Sequence, residues 1–356
     1  MDYKKAGVDI QAGELASKIA YDLAKTTFAS RNGMIGEAIV EDGSFAGLIN
    51  MGDFYLVQND DGVGTKIEIA IELKKFDTLG YDLLAMVADD TVCLGAETIS
   101  ITDTLDANKI DVGVIRSLMK GLAKACQEQK VLIPGGEIAE LGNSVNSFVW
   151  NATAVGILKK NKVITGSRIK VGDKIIALKE NGFRSNGFSL VRHIMENKFK
   201  RNVYKQNSPF GRSWGAMILE PSTIYSADLL KVLGRFGHER KINITGLAHI
   251  TGGGIPGNLK RILKRVGLGA ELSNLFQPSE IVNEIQKMGK VTEKEAYQTW
   301  NMGNGMLLVV DASEVKKTLE LLSIESQVVG EIISERKIVL HSRGAFPETL
   351  SYDLDY

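Results

Sequence analysis

The chain is poor in cysteine, proline and histidine, and it carries no surplus of either charge. Its two cysteines, Cys93 and Cys126, stand 33 positions apart with no CxxC pair, which excludes a disulfide framework and a thiolate zinc site and leaves both as small buried hydrophobes. Six prolines and four histidines in 356 residues exclude a proline-rich linker architecture and leave few candidates for acid–base work. The 43 basic and 43 acidic residues cancel. A general nucleic-acid binder or a ligand of anionic membranes needs an excess of positive charge, so neither is expected. No apolar run approaches the ~18 to 20 residues that span a bilayer, and Met1-Asp2-Tyr3-Lys4-Lys5 is not followed by a signal-peptide core. The expectation is a cytoplasmic protein acting on a small molecule.

Glycine is abundant, with 37 residues gathered in clusters just after apolar β-like runs, where a backbone must turn or let a ligand approach. Length divided by a typical domain of ~150 residues gives two domains. The apolar periodicity predicts a first helix over 12–27 with the stripe Leu15, Ile19 and Leu23, then a loop over 30–47. A strand over 54–57 runs into Asp60-Asp61-Gly62-Val63-Gly64-Thr65-Lys66, and helices follow from Ile67 and over 81–94. Asp111 is the expected N-cap of the next helix. Val131-Leu132-Ile133 reads as a short buried strand that ends in Pro134-Gly135-Gly136-Glu137, and a strand over 148–158 closes the first half. The second half alternates elements in the same way, with strands at 174–178, near Leu247, at 306–310 and at 337–340, and helices over 188–195, 223–236, 258–266 and 278–288. The prediction is a mixed α/β (α+β) fold, with an N-terminal domain over 1–168 and a C-terminal domain over 169–356.

On the helix over 81–94, Asp90 falls on the same side as Leu83, Val87 and Leu94, a costly place for a carboxylate unless a cation meets it. Asp61 and Glu137, each read as lying in a glycine turn after a strand, are its natural companions, and three such acids can converge on Mg²⁺, which bridges nucleotide phosphates. Taken singly, each acid is equally well a turn residue or an arginine partner. Lys66 and Thr65, just after Gly62 and Gly64, are candidate phosphate ligands. The spacing is not a Walker loop, since Gly-Lys-Ser/Thr never occurs. Gly252-Gly253-Gly254-Ile255-Pro256-Gly257 matches G-x-G-x-x-G but lacks the acidic residue ~20 positions on, so a dinucleotide site is not expected. His249, immediately before those glycines, is the candidate functional histidine. Ser185-Asn186-Gly187 precedes a helix whose free N–H groups can bind an anion, or else it caps that helix.

Tyr3 to Ile10 with Ala12-Gly13, then Asp61 to Lys66, Asp77 to Leu83, Gly95-Ala96-Glu97, Gly135 to Glu140, Ser185 to Leu190 and His249 to Gly254 occur in the order found in the phosphoribosylformylglycinamidine cyclo-ligase family, which the chain resembles from residue 3 to about 340. The resemblance implies two α/β domains, an N-terminal sheet that pairs with its mate in a homodimeric barrel, and an active site between the domains. It implies the ATP-dependent closure of formylglycinamidine ribonucleotide to aminoimidazole ribonucleotide in purine biosynthesis. There ATP phosphorylates the amide oxygen and the amidine nitrogen of the same molecule attacks, so holding that molecule folded supplies much of the rate. By the match, Asp61, Asp90 and Glu137 bind Mg²⁺ and ATP, with Gly62, Gly64, Thr65 and Lys66 on the phosphates. Catalysis falls to His249 with Lys66 and Asp90, and substrate binding to Ser185, Asn186, Gly187, Gly252, Gly253 and Gly254. The chain departs from the family pattern at Arg184, where a histidine usually precedes Ser-Asn-Gly, and at Asp89, where Asn is usual. The alternatives are another ATP-dependent kinase or synthetase of the same superfamily, or a nucleotide-binding paralogue without catalysis.

Overall fold

The computed structural model describes residues 10–41, 43–199 and 202–355, so the opening motif from Tyr3 to Asp9 lies outside the described residues. The first half runs α1 (Ile10–Lys25), β1 (Glu37–Ile39), β2 (Gly47–Asn50), β3 (Phe54–Gly62), α2 (Lys66–Leu73), α3 (Leu79–Cys93), β4 (Glu97–Ala107), α4 (Val112–Gln129), β5 (Leu132–Glu140) and β6 (Phe148–Lys159). Its six strands form one sheet in the order β1-β2-β3-β6-β4-β5. Neighbours are antiparallel except the β4–β5 pair. The second half runs β7 (Lys174–Lys179), α5 (Phe188–Lys198), α6 (Trp214–Ile218), α7 (Ser226–Leu233), β8 (Ile244–His249), α8 (Gly254–Leu263), β9 (Gly269–Leu272), α9 (Glu280–Gly289), α10 (Glu293–Thr299), β10 (Asn304–Val310), α11 (Val315–Leu321), β11 (Ser326–Ile333), β12 (Lys337–His341) and β13 (Thr349–Asp353). These seven strands make a second mixed sheet, β13-β12-β9-β11-β7-β10-β8. The expected break at 168/169 falls in the stretch between β6 and β7.

Alternation along β6 shows how the first sheet is used. Phe148, Trp150, Ala152 and Ala154 are buried inward, while Val149, Asn151, Thr153, Val155 and Ile157 point the other way and are exposed or half-buried, the pattern of a sheet with a core on one side only. The core on the inward side is α3. This helix packs against β3, β6 and α4 of its own half and against α7 and β8 of the other. A helix met on every side must be apolar all round, and only Tyr81 and Asp90 of α3 escape full burial. Backbones come very close where it crosses α4: a Cβ on Gly80 would lie 2.1 Å from the Leu122 nitrogen, and one on Gly121 would lie 2.0 Å from the Asp77 carbonyl oxygen. One continuous hydrophobic cluster therefore includes residues of both halves.

Three expectations change. The stretch 30–47 begins within a 3₁₀ turn over Phe28–Arg31 and contains β1, so it is not plain loop. The stripe Leu15, Ile19 and Leu23 of α1 is 60%, 53% and 65% exposed and joins no core. The Val131 segment is not a short buried strand ending in a turn: β5 continues through Pro134-Gly135-Gly136-Glu137 to Glu140 as an exposed sheet edge, and proline is tolerated there because an edge position leaves its missing N–H unneeded. The cap at Asp111 forms as expected, its Oδ1 accepting from the N–H groups of Gly113 and Val114. Asp111→Ala should lower stability by about 1 kcal/mol, read by denaturant unfolding. A midpoint equal to that of the parent would mean the cap contributes nothing.

Candidate active site

Helix α3 carries acids where its apolar surroundings would refuse them, and each has found a partner. Asp82, fully buried, takes the ammonium of Lys66 at 2.8 Å and the N–H and hydroxyl of Ser222 at 2.9 and 2.5 Å. The same ammonium donates to the Glu220 carbonyl at 2.8 Å and lies 5.5 Å from the centre of the Phe188 ring. This corrects the assignment of Lys66 as a phosphate ligand: its charge is wholly buried and committed to Asp82, and moving it would strand a carboxylate in the core.

Two turns further along, Asp89 accepts from Arg184 Nη2 at 2.8 Å and from the N–H groups of Tyr225 and Ser226 at 2.9 and 3.0 Å. Burial pushes the Asp89 pKa up, but three donors on its oxygens favour the ionised form. Arg184 is itself 1% exposed. Its Nη1 reaches Glu180 Oε2 at 2.9 Å and the Thr223 carbonyl at 2.8 Å, and its Nη2 also meets His249 Nε2 at 2.8 Å. The other nitrogen of His249, Nδ1, lies 2.7 Å from Asp90 Oδ1. Burial first, then the Arg184 cation, lowers the His249 pKa to about 3, so the ring is neutral. With no exposed surface and both nitrogens engaged, His249 is not placed to touch a substrate, which corrects its assignment as the proton-transfer group.

Asp90 is the one acid of α3 that stays partly open, its side chain 18% exposed. Desolvation raises its pKa to about 7 against the pull of Arg261 and Arg184. Asp61, at the end of β3, is raised to about 6 by desolvation, with the charges of Asp90 and Asp60 adding to it. Two neighbouring, partly open carboxylates with raised proton affinity are what a site built for a cation looks like before the cation arrives. Glu137 does not join them. The register places Asp61 in one row with Ala152, Asp103 and Gly136 on the inward side, whereas Glu137 stands in the next row with Thr104, Asn151 and Gly62 on the outward side. Three inter-strand steps also separate it from β3, about 14 Å at ~4.8 Å per strand. Among the described residues no group of three or more potential ligands is assembled for a metal ion. The expected triad Asp61, Asp90 and Glu137 is therefore corrected to a pair within one chain. Mg²⁺ bound with a nucleotide needs only one or two carboxylates besides water and phosphate oxygens, and the pair fits that need.

The glycine segments converge beside this pair. A Cβ on Gly64 would touch the Ser185 carbonyl at 3.5 Å, Thr65 Oγ1 lies 3.4 Å from Ser189 Oγ, and a Cβ on Gly252 would lie 3.8 Å from Asn186 Nδ2. The N-termini of α2, α5 and α8 thus meet, with Thr65, Gly187 and Gly253 as their N-caps. Pro256, the third residue of α8, is compatible with a first helical turn. Unsatisfied N–H groups at three helix starts sum their partial positive charge. Ser185 Oγ and Asn186 Oδ1 are buried there without hydrogen-bond partners, so the site holds polar groups that no protein group satisfies. Sequence reasoning missed Glu180, Asp82 and Arg261. On α8, Arg261 donates to the carbonyls of Gly43 and Ser44 and stacks 3.8 Å from the Phe45 ring centre, tying residues 43–45 over the edge of the site. Glu180 and Arg261 are lone charged residues in mixed-polarity segments and gave no signal, whereas Asp82 interrupts the apolar run of α3 as Asp90 does and carried the same signal unread.

The two halves match the family models "AIR synthase related protein, N-terminal domain" over residues 43–158 and "AIR synthase related protein, C-terminal domain" over 170–343. The class is therefore that of two-domain AIR synthase-related proteins. The chain is 35% identical to the phosphoribosylformylglycinamidine cyclo-ligase of Thermococcus kodakarensis over 97% of this chain and 99% of the relative. It is 36% identical to that of Clostridium perfringens (93% and 96%) and 33% identical to that of Methanocaldococcus jannaschii (94% and 93%). It belongs to the phosphoribosylformylglycinamidine cyclo-ligase family. Among solved structures, E. coli HypE superposes with a TM-score of 0.60 at 14% identity, covering 85% of this chain and 86% of that one. T. maritima PurL complexed with ADP gives 0.59 at 15% identity, covering 89% and 46%, a likeness of fold.

Two outcomes test the geometry. Lys66→Met should cost about 3–5 kcal/mol of stability by stranding Asp82; a parent-like unfolding midpoint with only ATP affinity reduced would restore Lys66 to the phosphates. Asp61→Asn should stabilise the ligand-free protein. Because the folded pKa is raised from 3.8 to about 6, ionisation of Asp61 costs stability as pH rises between these values. The gain in the variant should then be absent near pH 4 and reach roughly 1–2 kcal/mol above pH 6. A pH-independent difference would place Asp61 in an ordinary solvated environment.

Proposed function

We propose that the chain catalyses the ATP-dependent cyclisation of formylglycinamidine ribonucleotide to aminoimidazole ribonucleotide, releasing ADP and phosphate, in purine biosynthesis. The family membership supports the reaction. The observation that carries the site is the meeting of the Asp61–Asp90 pair with three helix N-termini and the unpartnered polar atoms of Ser185 and Asn186. Mg²⁺, when bound with ATP, would supply neutralisation of the phosphate charge. Asp61 and Asp90 are the groups of this chain that would hold it. The N–H groups of Gly64, Thr65 and Lys66 and the Thr65 hydroxyl bind phosphate oxygens, with the Lys66 side chain serving the core instead. Ser185, Asn186, Gly187 and Gly252 to Gly254 bind the anionic substrate and keep its amidine nitrogen folded toward the activated carbon, which makes ring closure unimolecular. The N-terminal domain binds the nucleotide and the C-terminal domain completes the site.

We assign a homodimer to the outward side of the first sheet, where Val149, Val155 and Ile157 lack a covering layer from their own inward core. Glu137, on that same side, then sits at the subunit interface. The assignment to the cytoplasm accords with the absence, among the described residues, of a helix long and apolar enough to cross a membrane.

Purified protein supplied with ATP, Mg²⁺ and formylglycinamidine ribonucleotide should form ADP and aminoimidazole ribonucleotide in equal amounts. ADP without the imidazole would point to a different kinase or synthetase, and neither product would end the reading. Asp61→Asn should lower kcat/KM for Mg·ATP by roughly 10²-fold or more with the fold intact. Parent-like turnover in that variant would remove Asp61 from the nucleotide site.

A further inference from the structure

We propose that Arg184 is a positioning residue that locks His249 in its Nδ1–H tautomer, so that His249 in turn fixes the carboxylate of Asp90. The inference starts from what a guanidinium is able to do. It has five N–H donors and no lone pair, so any atom 2.8 Å from Arg184 Nη2 in hydrogen-bonding geometry must be an acceptor. Nε2 of His249 is that atom and therefore carries no proton. A neutral imidazole has a single N–H, which must then be on Nδ1, where it donates to Asp90 Oδ1 at 2.7 Å. The imidazolium form would turn an N–H against the guanidinium and is excluded by the same geometry. The tautomer follows from the chemistry of the partners, without reference to any hydrogen position.

Arg184 is able to impose this because it is itself held from several directions. Four of its five N–H donors are used: Nη1 toward Glu180 Oε2 and the Thr223 carbonyl, Nη2 toward Asp89 Oδ2 and His249 Nε2, with Nε the remaining one. The guanidinium also lies 5.0 Å from the centre of the Tyr225 ring. Its backbone sits in the left-handed region, with φ of 60°, just before Ser185-Asn186-Gly187, and its side chain is buried. Asp89 is anchored by the Tyr225 and Ser226 N–H groups at the start of α7.

The result is a closed arc. It leaves α3 at Asp89, passes through Arg184 and His249, and returns to α3 at the very next residue, Asp90. Neighbouring helical residues point ~100° apart, and the arc spans that angle with a fixed cation and a neutral ring. Asp90 Oδ1 is thereby occupied, and its second oxygen has no hydrogen bond among the described residues. A histidine at 184 has at most two N–H groups and reaches two of these four acceptors. A lysine has three N–H groups on one atom and is unable to fork between Glu180 and Asp89.

The consequence for turnover rests on the reading of Asp90 as a nucleotide-side acid, but the tautomer does not, and the test separates the two. Protein labelled with ¹⁵N in its four histidine rings is observed by long-range ¹H–¹⁵N correlation at neutral pH, without nucleotide or metal. The ring signal lost in His249→Asn identifies His249. The expected pattern is protonated Nδ1 and bare Nε2. A His249 ring protonated on Nε2, or on both nitrogens, overturns the proposal with no variant of Arg184 required. In Arg184→Lys, and in Arg184→Met if it folds, the ring should become a mixture of tautomers; a single unchanged Nδ1–H ring in a folded Arg184 variant also overturns it. In kinetics, His249→Ala should lower kcat/KM for Mg·ATP by roughly 30-fold or more. His249→Asn, whose amide N–H is placed to replace Nδ1–H, should retain activity within about fivefold of the parent. Equal losses in the two would make His249 a packing residue only. If the expected tautomer is found but the parent protein does not turn over Mg·ATP, the proposed reaction fails and the Arg184–His249 lock stands.

Discussion

Negative charge buried on α3 is the constraint around which the molecule is organised. The helix lies between two sheets and is nearly inaccessible, yet it carries Asp82, Asp89 and Asp90. An unpaired carboxylate in such a place is ruled out energetically, so each acid dictates what the neighbouring segments must deliver. Lys66 comes from the start of α2, Arg184 from the loop after β7, and His249 from the end of β8. Two of these three partners come from the other domain, so satisfying α3 also docks the C-terminal half against the N-terminal half. The same pairing brings the glycine-rich ends of β3, β7 and β8 together.

This division of labour separates structural from functional charge by the number of donors around each carboxylate. Asp82 and Asp89 are each held by a buried cation and two further hydrogen bonds from neighbouring segments. Asp90 is given one neutral donor, and Asp61 only the Gly62 N–H at 2.7 Å. Burial raises the proton affinity of all four acids; what sets Asp61 and Asp90 apart is the shortage of donors on their oxygens. It is the condition under which a divalent ion or a donor from a ligand gains most by binding, because it replaces interactions the protein withholds.

Much of this was legible in the residue pattern. The helix of α3, the Asp111 cap, strands β3, β6, β7, β8, β10 and β12 and the order of the glycine motifs all follow from local patterning, whereas β9 and the central β11 of the second sheet were not read; the motifs suffice to place the chain in its family. Asp90 stood out because a carboxylate interrupts an apolar stripe. What failed did so for identifiable reasons. Glu137 read as a companion of Asp61 because Pro134-Gly135-Gly136 looks like a turn; only the β4–β5 register shows that the strand continues and that Glu137 faces outward. Lys66 read as a phosphate ligand because it follows Gly62 and Gly64, and its partner Asp82 is 16 residues away on another helix. Arg184 stood out as a departure from the family pattern, but its four acceptors belong to four separate segments.

The sequence alone determined the elements with strong period, the balance of charge that directs the protein to small molecules, and the residue types present at each glycine turn, since these depend on neighbours within one turn of helix or one strand. The tertiary structure decided which of the acids are satisfied and which are left open, on which side of a sheet each one stands, and which ring nitrogen of His249 bears the proton. Those properties depend on distances between residues up to 159 positions apart, as for Asp90 and His249, and no local preference encodes such a distance.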